Sequence, residues 1–399
     1  MSQSNFNGRD WFQHHLGFIE TPQSILENIT VQHFEDHTEI ISKQNGRKIN
    51  CGKFSLRDMN SYNHIIDLID SRPIQEGHFH IIHGHGTKST QMELVDIIKH
   101  QNNEDFNGAT FVAASNFNLL EYGGPQATAH NGISQYAVDT TQGPAFATAT
   151  IGSTIYRTYL VEHKKITQTK NGLKNPNSNS NFFIDFEKEA KYTTVTGQLD
   201  YELNLLERTP IPVIHGKAIL NSQITAIPNN ELFENKKLFD FTNEKYYEIA
   251  VIQNAEVTTD RISIYKKYFD SKPNQFVHQI FASSFDLGYL VQPVEKNIEI
   301  MKFILFFEYK MIILQAIENS ISFPNRNGSN KLVLTLIGAG FFHNPIEIVC
   351  GAISDNIELI KKSGLDIFLV CFDDNIYKKT FPLLNDLVDK TNGSIIDTI

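Results

Sequence analysis

The sequence predicts an α/β protein built on a mixed sheet. Residues 78–99 predict a strand, a glycine turn and a helix, because the alternation in HFHIIHG gives way to the helical apolar spacing of MELVDIIKH. In the last third of the chain, the continuous apolar strands KLVLTL and LDIFLVCF alternate with helices, which is typical of parallel strands. Hydrophobic residues make up 41% of the 399 residues, which is enough for a sizeable core.

Local patterns predict the other elements. Apolar residues at helical spacing predict helices at 62–69, 90–100, 298–320, 345–362 and 380–391. Thr90 and Glu93 have the spacing of a capping box at the start of the second of these. A further helix is predicted from Pro144 onwards, because proline is favoured in the first turn of a helix. Runs of β-branched and aromatic residues predict strands at 109–114, 153–161, 211–220, 246–253 and 275–284. The polar segment 164–180 predicts an exposed excursion.

Composition limits the partners and the compartment. The formal net charge of −10 argues against general nucleic-acid binding, which needs clustered Lys and Arg. The three cysteines, Cys51, Cys350 and Cys371, are far apart, and we expect buried, reduced thiols. The first 11 residues lack the apolar core of a secretory signal, and the apolar stretch 304–314 is too short and too charged to span a bilayer. We expect a soluble, cytoplasmic protein.

Two glycine-containing loops follow predicted strands and carry the chemical signal. The first lies in FVAASNFNLLEYGG and the second in LTLIGAGFFHNP, which leads into a helix. Glycines after a strand let backbone N–H groups face a phosphate, and a helix N-terminus adds its dipole. Because ligands of open α/β sheets bind at this edge, two such loops could hold the two phosphates of a nucleotide diphosphate.

Other nucleotide-binding motifs fit less well. Gly338 and Gly340 give the start of a G-x-G-x-x-G fingerprint, but His343 takes the place of the third glycine. The motif also lies too close to the end of the chain for a dinucleotide-binding half, so a nicotinamide-dependent oxidoreductase is the weaker reading. The chain contains no G-x-x-x-x-G-K-[ST] loop, and Ser283 and Ser284 lack the nucleophile elbow of a serine hydrolase.

Both loops resemble those of macrodomains. The first macrodomain loop reads N-A-A-N-x-x-L-x-x-G-G-G, and residues 113–124 match its spacing without gaps, with Ala113 in place of the first Asn and Tyr122 in place of the first Gly. The second, G-x-G-F/I-x-x-x-P, is similar to residues 338–345. The likeness covers roughly residues 75–375 and is nearest to the poly(ADP-ribose) glycohydrolase-like branch, which includes bacterial effectors that hydrolyse ADP-ribosylarginine.

This resemblance implies a three-layer α/β/α fold with insertions and a site for ADP-ribose. It divides the chain into an N-terminal extension of unknown role, residues 1–70, and a catalytic domain, residues 71–399, with an excursion near 162–210. Asn116 would bind the distal ribose, and residues 338–342 would surround the diphosphate. The residues expected to bind ADP-ribose are Asn116, Phe117, Asn118, Gly123, Gly124, Gln142, Gly338, Ala339, Gly340, Phe341 and Phe342.

The candidate catalytic groups are carboxylates. Release of ADP-ribose passes through an oxocarbenium-like transition state, which needs a carboxylate to activate water and stabilise positive charge. Asp139 is the first candidate, because the branch carries an acidic Q-E-E-type element at about this place, although this chain has no paired Glu there. Glu256, Asp260 and Asp270 form a second set that would suit a guanidinium. The alternatives are a helix cap for Asp139 and solvated loop charges for the other three.

The four histidines of HFHIIHGHG suggest a metal site, but the neighbouring sequence supplies no acidic or thiol ligand. We expect a structural or loop-lining role for them, no metal and no cofactor.

The function we predict is hydrolysis of mono-ADP-ribose from protein, with arginine as the modified residue. The partners are then ADP-ribose and an ADP-ribosylated protein, which would be ubiquitin or a host protein in the host cytosol if the chain is a secreted effector. A non-catalytic reader of ADP-ribose is the alternative.

Overall fold

The centre of the protein is a ten-stranded mixed sheet. The computed structural model describes residues 8–71, 73, 75–124, 128–168, 191–209, 211–219, 242–262, 267–287 and 294–399. The sheet has the strand order β1-β2-β3-β10-β13-β5-β14-β15-β4-β16, and the remaining six strands form three two-stranded hairpins. The strands are β1 Ile29–His33, β2 Thr38–Ser42, β3 Lys48–Arg57, β4 His78–His83, β5 Thr110–Ala114, β6 Glu162–Gln168, β7 Lys191–Thr196, β8 Val213–Ile214, β9 Lys217–Ala218, β10 Ile249–Glu256, β11 Thr259–Ile262, β12 Lys267–Asp270, β13 Phe276–Ala282, β14 Lys331–Leu334, β15 Asp366–Cys371 and β16 Ile395–Asp397.

Eleven α-helices are present in the described ranges. Their bounds are α1 Gly8–Leu16, α2 Pro22–Asn28, α3 Asn63–Ser71, α4 Met92–Val95, α5 Ile97–Asn102, α6 Gln142–Ala149, α7 Ile151–Ile155, α8 Val294–Ser322, α9 Ile346–Ser354, α10 Ile357–Lys362 and α11 Asp374–Lys390. The predicted long helix at 298–320 is confirmed as α8. Asp96 caps α5 and separates it from α4, so the segment predicted as one helix forms two.

Six neighbouring strands run in the same direction. β13, β5, β14, β15, β4 and β16 pair in parallel, whereas β10 joins β3 and β13 in antiparallel pairs. Their carboxyl ends therefore lie at one edge of the sheet, here called the carboxyl edge. The predicted α/β class with a mixed sheet is confirmed.

Helices cover both faces of this sheet. The hydroxyl of Thr110 on β5 accepts a hydrogen bond of 2.9 Å from Asn319 on α8. The next residue, Phe111, packs its ring edge-on against His100 on α5, with ring centroids 5.3 Å apart. Because successive strand side chains point to opposite faces, α8 and α5 lie on opposite sides of the sheet, which gives three layers.

The N-terminal region is part of the same sheet. β3 pairs with β10, so strands from residues 29–57 continue the sheet that the later strands form. Trp11, Phe12 and Leu16 of α1 are fully buried, and the indole N–H of Trp11 donates to the hydroxyl of Thr259 at 3.1 Å. The division that the sequence suggests at residue 70 is therefore not a break in the sheet.

The predicted strand at 153–161 is wrong, because this segment is helical. Residues 151–155 form α7, and Tyr156–Leu160 continues it as one turn of π-helix, in which the Val161 amide donates to the Tyr156 carbonyl. Every residue from 151 to 161 is buried. Burial on all sides selects the helix here over the β preference of its branched and aromatic residues.

Several other sequence predictions can be compared with the described residues. The segment 211–220, predicted as one strand, contains instead two strands of two residues each, β8 and β9, which pair as a hairpin. The predicted helix at 345–362 is the pair α9 and α10. The excursion near 162–210 contains the antiparallel pair β6–β7, and residues 169–190 and 210 lie outside the described part. All three cysteines are free and buried. No helix in the described ranges is long and apolar enough to cross a bilayer.

The burial of Trp11 gives a test of the continuous sheet. We expect Trp11→Ala to lower the free energy of unfolding by about 3–5 kcal/mol, because it opens a cavity and removes a buried donor. Phe34→Ala is the control, since Phe34 is 50% exposed and its removal should change stability by less than about 0.5 kcal/mol. Urea unfolding would measure both, and equal midpoints for the two variants would contradict the integration of α1.

Candidate functional site

Two loops and one short segment meet at the carboxyl edge. Loop 1, residues 115–124, follows β5, and loop 2, residues 335–345, follows β14. Residues 283–287 follow β13, the other neighbour of β5. Because these three strands are parallel and adjacent, the segments after them lie side by side, where open α/β sheets bind ligands.

The asparagines of loop 1 hold the loop in shape. The side-chain amide of Asn116 donates to the carbonyls of Leu120 at 2.6 Å and Tyr122 at 2.9 Å. The side-chain oxygen of Asn118 accepts from the Leu120 amide at 3.2 Å. Both asparagines are buried, and Phe117 lies in the core. The contact with the distal ribose that the resemblance implies for Asn116 stays a prediction, and its amide group is already used within the loop.

A buried ion pair contacts loop 1 from the protein interior. The Arg157 guanidinium is 2.9 Å from the Glu121 carboxylate, and both side chains are fully buried. Arg157 also donates to the Leu119 carbonyl at 3.2 Å and lies over the Phe281 ring, 4.5 Å from its centroid. Burial raises the pKa of Glu121, and the contact with Arg157 opposes that rise. One oxygen of this buried carboxylate is thus held by Arg157.

The hairpin β8–β9 brings a cation to the carboxyl edge. The Phe117 amide donates to the Gly216 carbonyl at 2.9 Å. Gly216 has φ +71°, and a Cβ there would lie only 2.7 Å from the Cβ of Asn116. The next residue, Lys217, places its ammonium 3.9 Å from the centroid of the Phe342 ring and 3.4 Å from a carboxylate oxygen of Asp286. Burial lowers the pKa of Lys217, and Asp286 opposes that shift.

Loop 2 is shaped by a glycine that no other residue could replace. Gly338 has φ +77°, and a Cβ there would collide with the Ser284 hydroxyl and the Asn344 amide, which are hydrogen-bonded to each other at 2.7 Å. Within the described ranges, the N–H groups of Gly340, Phe341 and Phe342 donate to no protein acceptor. Three successive N–H groups without a protein acceptor are available to an anion.

The two loops touch. A Cβ on Gly123 would lie 2.8 Å from the edge of the Phe341 ring, so the absence of a side chain at Gly123 lets the ring approach. Phe341 is 52% exposed, whereas Gly124 has open space around its Cα. The structure thus places Gly123 of loop 1 against the Phe341 ring of loop 2, and the binding roles that the resemblance implies for these loops stay predictions.

The start of α6 lies beside loop 1. The Gln142 side chain donates to the Val112 carbonyl at 3.0 Å and accepts from the Ala114 amide at 3.3 Å, so it is bonded to β5. Asp139 is exposed, and one of its oxygens accepts from the Thr141 amide at 2.9 Å and from its hydroxyl at 2.6 Å. Asp139 therefore forms the turn that precedes α6, and its second oxygen is free to face solvent.

The second set of predicted carboxylates lies elsewhere. Glu256 pairs with Phe276, the first residue of β13, which places it at the opposite edge of the sheet. Asp260 and Asp270 lie on the hairpin β11–β12, and Asp270 is 2.9 Å from the Arg47 guanidinium. The structure does not bring these three residues to the loops, because β10 runs antiparallel to β13 and ends at the other edge.

Two polar residues at the carboxyl edge were missed by sequence reasoning. Glu308 lies in the middle of α8, fully buried, and accepts from the Ser283 amide at 3.2 Å. Burial raises its pKa well above the usual range, because desolvation disfavours the charged carboxylate. The signal was a single acidic residue within the apolar run FILFFEYKMIIL. Lys217 had only the turn sequence HGK as a signal.

Comparisons with known proteins give weak similarities. No family model and no curated protein matches the chain. Among solved structures, poly(ADP-ribose) glycohydrolase from Thermomonospora curvata aligns with a TM-score of 0.43 and 8% identity over 95% of this chain and 98% of that one. Poly(ADP-ribose) glycohydrolase from Deinococcus radiodurans, in complex with ADP-ribose, aligns with a TM-score of 0.42 and 9% identity over 84% of this chain and 94% of that one.

The buried ion pair gives the test of how loop 1 is held. We expect Arg157→Met to lower the free energy of unfolding by about 3–5 kcal/mol, because it leaves the Glu121 carboxylate buried without its partner. The double variant Glu121→Gln with Arg157→Met removes both charges and should recover part of that loss. Chemical unfolding of the two variants would measure it, and a double variant no more stable than the single one would contradict this account.

Proposed function

We propose that the chain binds ADP-ribose at the carboxyl edge and hydrolyses its glycosidic bond to a modified protein, with arginine as the modified residue. The observation that supports the proposal most is the meeting of loop 1 and loop 2, with Gly123 against Phe341. The sequence of these loops resembles the two ligand loops of macrodomains, and their side-by-side position is what a single ligand would need.

The diphosphate would bind at loop 2. The free N–H groups of Gly340, Phe341 and Phe342 can each donate to a phosphate oxygen, and they cost no side-chain entropy. Lys217 lies over the Phe342 ring, where its charge can act on the same anion. The half-exposed Phe341 ring offers an apolar surface for the adenine or the ribose.

Asp139 remains the first candidate for the catalytic carboxylate. Attack of water on the ribose carbon breaks the glycosidic bond through a transition state that carries positive charge, so an ionised carboxylate beside the ribose helps. Of the carboxylates near loop 1, Glu121 is held by Arg157, whereas Asp139 keeps one oxygen free at the start of α6. In this mechanism, Asp139 orients the water and takes up its proton.

Arginine as the modified residue rests on the sequence resemblance. The motifs resemble those of the Legionella effector MavL, an ADP-ribosylarginine hydrolase. The net charge of −10 is compatible with a substrate that presents a cation. A host protein such as ubiquitin would be the substrate if the chain acts as an effector in the host cytosol.

Replacement of Asp139 tests the catalytic assignment. We expect Asp139→Asn to slow release of ADP-ribose from an arginine-ADP-ribosylated protein by about 100-fold or more, because the water loses its carboxylate. Asp270→Asn is the comparison, since Asp270 is equally an exposed aspartate but lies at the opposite edge. Chromatographic measurement of released ADP-ribose would separate the two.

If Asp270→Asn abolishes release and Asp139→Asn does not, the second set of carboxylates carries the reaction and the assignment falls. If the wild-type protein releases no ADP-ribose from the arginine-linked substrate, the proposed hydrolysis of that linkage is wrong.

One observation favours a reader that binds ADP-ribose without cleaving it. Gln142 is followed by Gly143 and Pro144, so the first turn of α6 carries no carboxylate. A Cβ on Gly143 would lie 2.9 Å from the Glu121 side chain, which leaves no space for an acidic residue there. Calorimetric binding of ADP-ribose by wild type, together with no release from arginine-, serine- or glutamate-linked substrates, would establish the reader.

Replacement of Lys217 tests where the diphosphate binds. We expect Lys217→Met to weaken ADP-ribose binding by roughly 10- to 100-fold, the effect of one charge-assisted hydrogen bond, and to leave adenosine binding unchanged. Lys217 is ion-paired with Asp286, so Lys217→Met alone leaves the Asp286 carboxylate without its partner. The double variant Lys217→Met with Asp286→Asn removes both charges and is therefore the control. Equal dissociation constants in wild type and in both variants would place the diphosphate away from Lys217.

A further inference from the structure

The four histidines of β4 and the turn after it divide into two pairs. One ring nitrogen of His78 lies 2.9 Å from the Thr391 carbonyl, and one of His80 lies 2.9 Å from the Ser394 hydroxyl, so each ring has its own partner. Their ring centroids are 6.3 Å apart. The centroids of His83 and His85 are only 4.2 Å apart, because β4 ends at His83 and the chain turns.

A carboxylate from the end of the chain completes a three-residue cluster with the second pair. β16 pairs in parallel with β4 and places Asp397 opposite His83. One carboxylate oxygen of Asp397 is 3.0 Å from Nε2 of His85, and the other is 3.3 Å from Nδ1 of His83. One ligand atom from each of the three residues lies within 4.8 Å of the other two.

A second carboxylate orients His83. Asp374, in the first turn of α11, is 3.2 Å from Nε2 of His83. A proton on Nε2 that is donated to Asp374 leaves Nδ1 as a lone pair directed at Asp397, which is how a metal-binding histidine is commonly held. The Tyr377 ring stacks on His83 with centroids 3.7 Å apart and fixes the plane of the imidazole.

The backbone around the cluster is tied to its neighbours. The Gly84 amide donates to the Cys371 carbonyl at 2.8 Å, and the His85 amide donates to the Ser89 hydroxyl at 2.8 Å. The Thr398 hydroxyl donates to the His83 carbonyl at 3.0 Å. The histidines are 13% and 17% exposed and Asp397 is 56% exposed, so the cluster is held in place from the protein side and open on the other.

We propose that His83, His85 and Asp397 bind a divalent transition-metal ion such as Zn²⁺, with water or a ligand at the remaining position. Two imidazoles and one carboxylate suit zinc and its neighbours, whereas Mg²⁺ and Ca²⁺ prefer oxygen ligands alone. Ligands at about 2.0–2.1 Å in a tetrahedron are roughly 3.3 Å apart. The distances of 3.0 and 3.3 Å join the two histidines to different oxygens of Asp397, and one ligand atom from each of the three residues lies within 4.8 Å of the other two, so small side-chain adjustments would bring all three onto one ion.

This site revises the expectation that the histidines bind no metal. The missing acidic ligand is supplied by Asp397, 312 residues from His85. A second cluster of His14, His15 and Asp270 has a similar composition. There the Arg47 guanidinium already lies 2.9 Å from Asp270 and would repel a cation. The residues of the proposed metal site take no part in the proposed ADP-ribose site.

Zinc titration of the chelator-treated, full-length protein tests the proposal. We expect one Zn²⁺ per chain, measured by competition with a chromophoric chelator, and at least tenfold weaker binding in His85→Ala and in Asp397→Asn. His78→Ala is the matched control, because His78 lies on the same strand outside the cluster, and its affinity should equal that of wild type. Co²⁺ substitution should give visible d–d absorption that is lost in His85→Ala.

Three outcomes would overturn the site. These are no stoichiometric Zn²⁺ binding by wild type, unchanged affinity in both His85→Ala and Asp397→Asn, and loss of binding in His14→Ala instead. Circular dichroism of each variant establishes that it is folded, and Asp397→Asn, which keeps the shape of the side chain, guards against a misfolded His85→Ala.

Discussion

The shape of the candidate site depends on the buried pair of Arg157 and Glu121. Two fully buried charges are tolerable only together, since either one alone would cost several kcal/mol. Arg157 also bonds the Leu119 carbonyl and covers the Phe281 ring of β13, so one side chain connects loop 1, the π-turn and the sheet. Loop 1 is therefore held in place by the protein itself, and Gly123 is presented to loop 2 without help from a ligand.

Electrostatics at the carboxyl edge differ from those of the whole chain. The net charge is −10, yet the edge offers the three free N–H groups of residues 340–342 and the ammonium of Lys217. Burial lowers the pKa of Lys217, and the neighbouring Asp286 carboxylate opposes that fall. Local dipoles and one cation act at short range at this edge, while the distant negative charges are screened.

Sequence patterns correctly predicted the elements whose secondary structure follows from the local periodicity of apolar residues. They failed where contacts with residues distant in the sequence determine the conformation. β5, β13 and α8 followed from apolar runs and helical spacing. Residues 153–161 did not, because complete burial decided their conformation. In the site, the two loops could be recognised from glycines after strands. Lys217 could not, since the contact of Gly216 with loop 1 brings it there, and no local pattern encodes that contact.

The same sheet also determines how the two proposed sites relate. β4 and β14 are separated only by β15, and all three strands run parallel, so the histidine cluster and loop 2 lie at the same edge. Neighbouring strands are about 4.8 Å apart, which puts the two strands roughly 10 Å from each other. The two proposed sites share no residue, so each can be tested without changing the other. An ion bound by His83, His85 and Asp397 would join the end of the chain to the sheet, because His83 lies on β4 and Asp397 lies on β16.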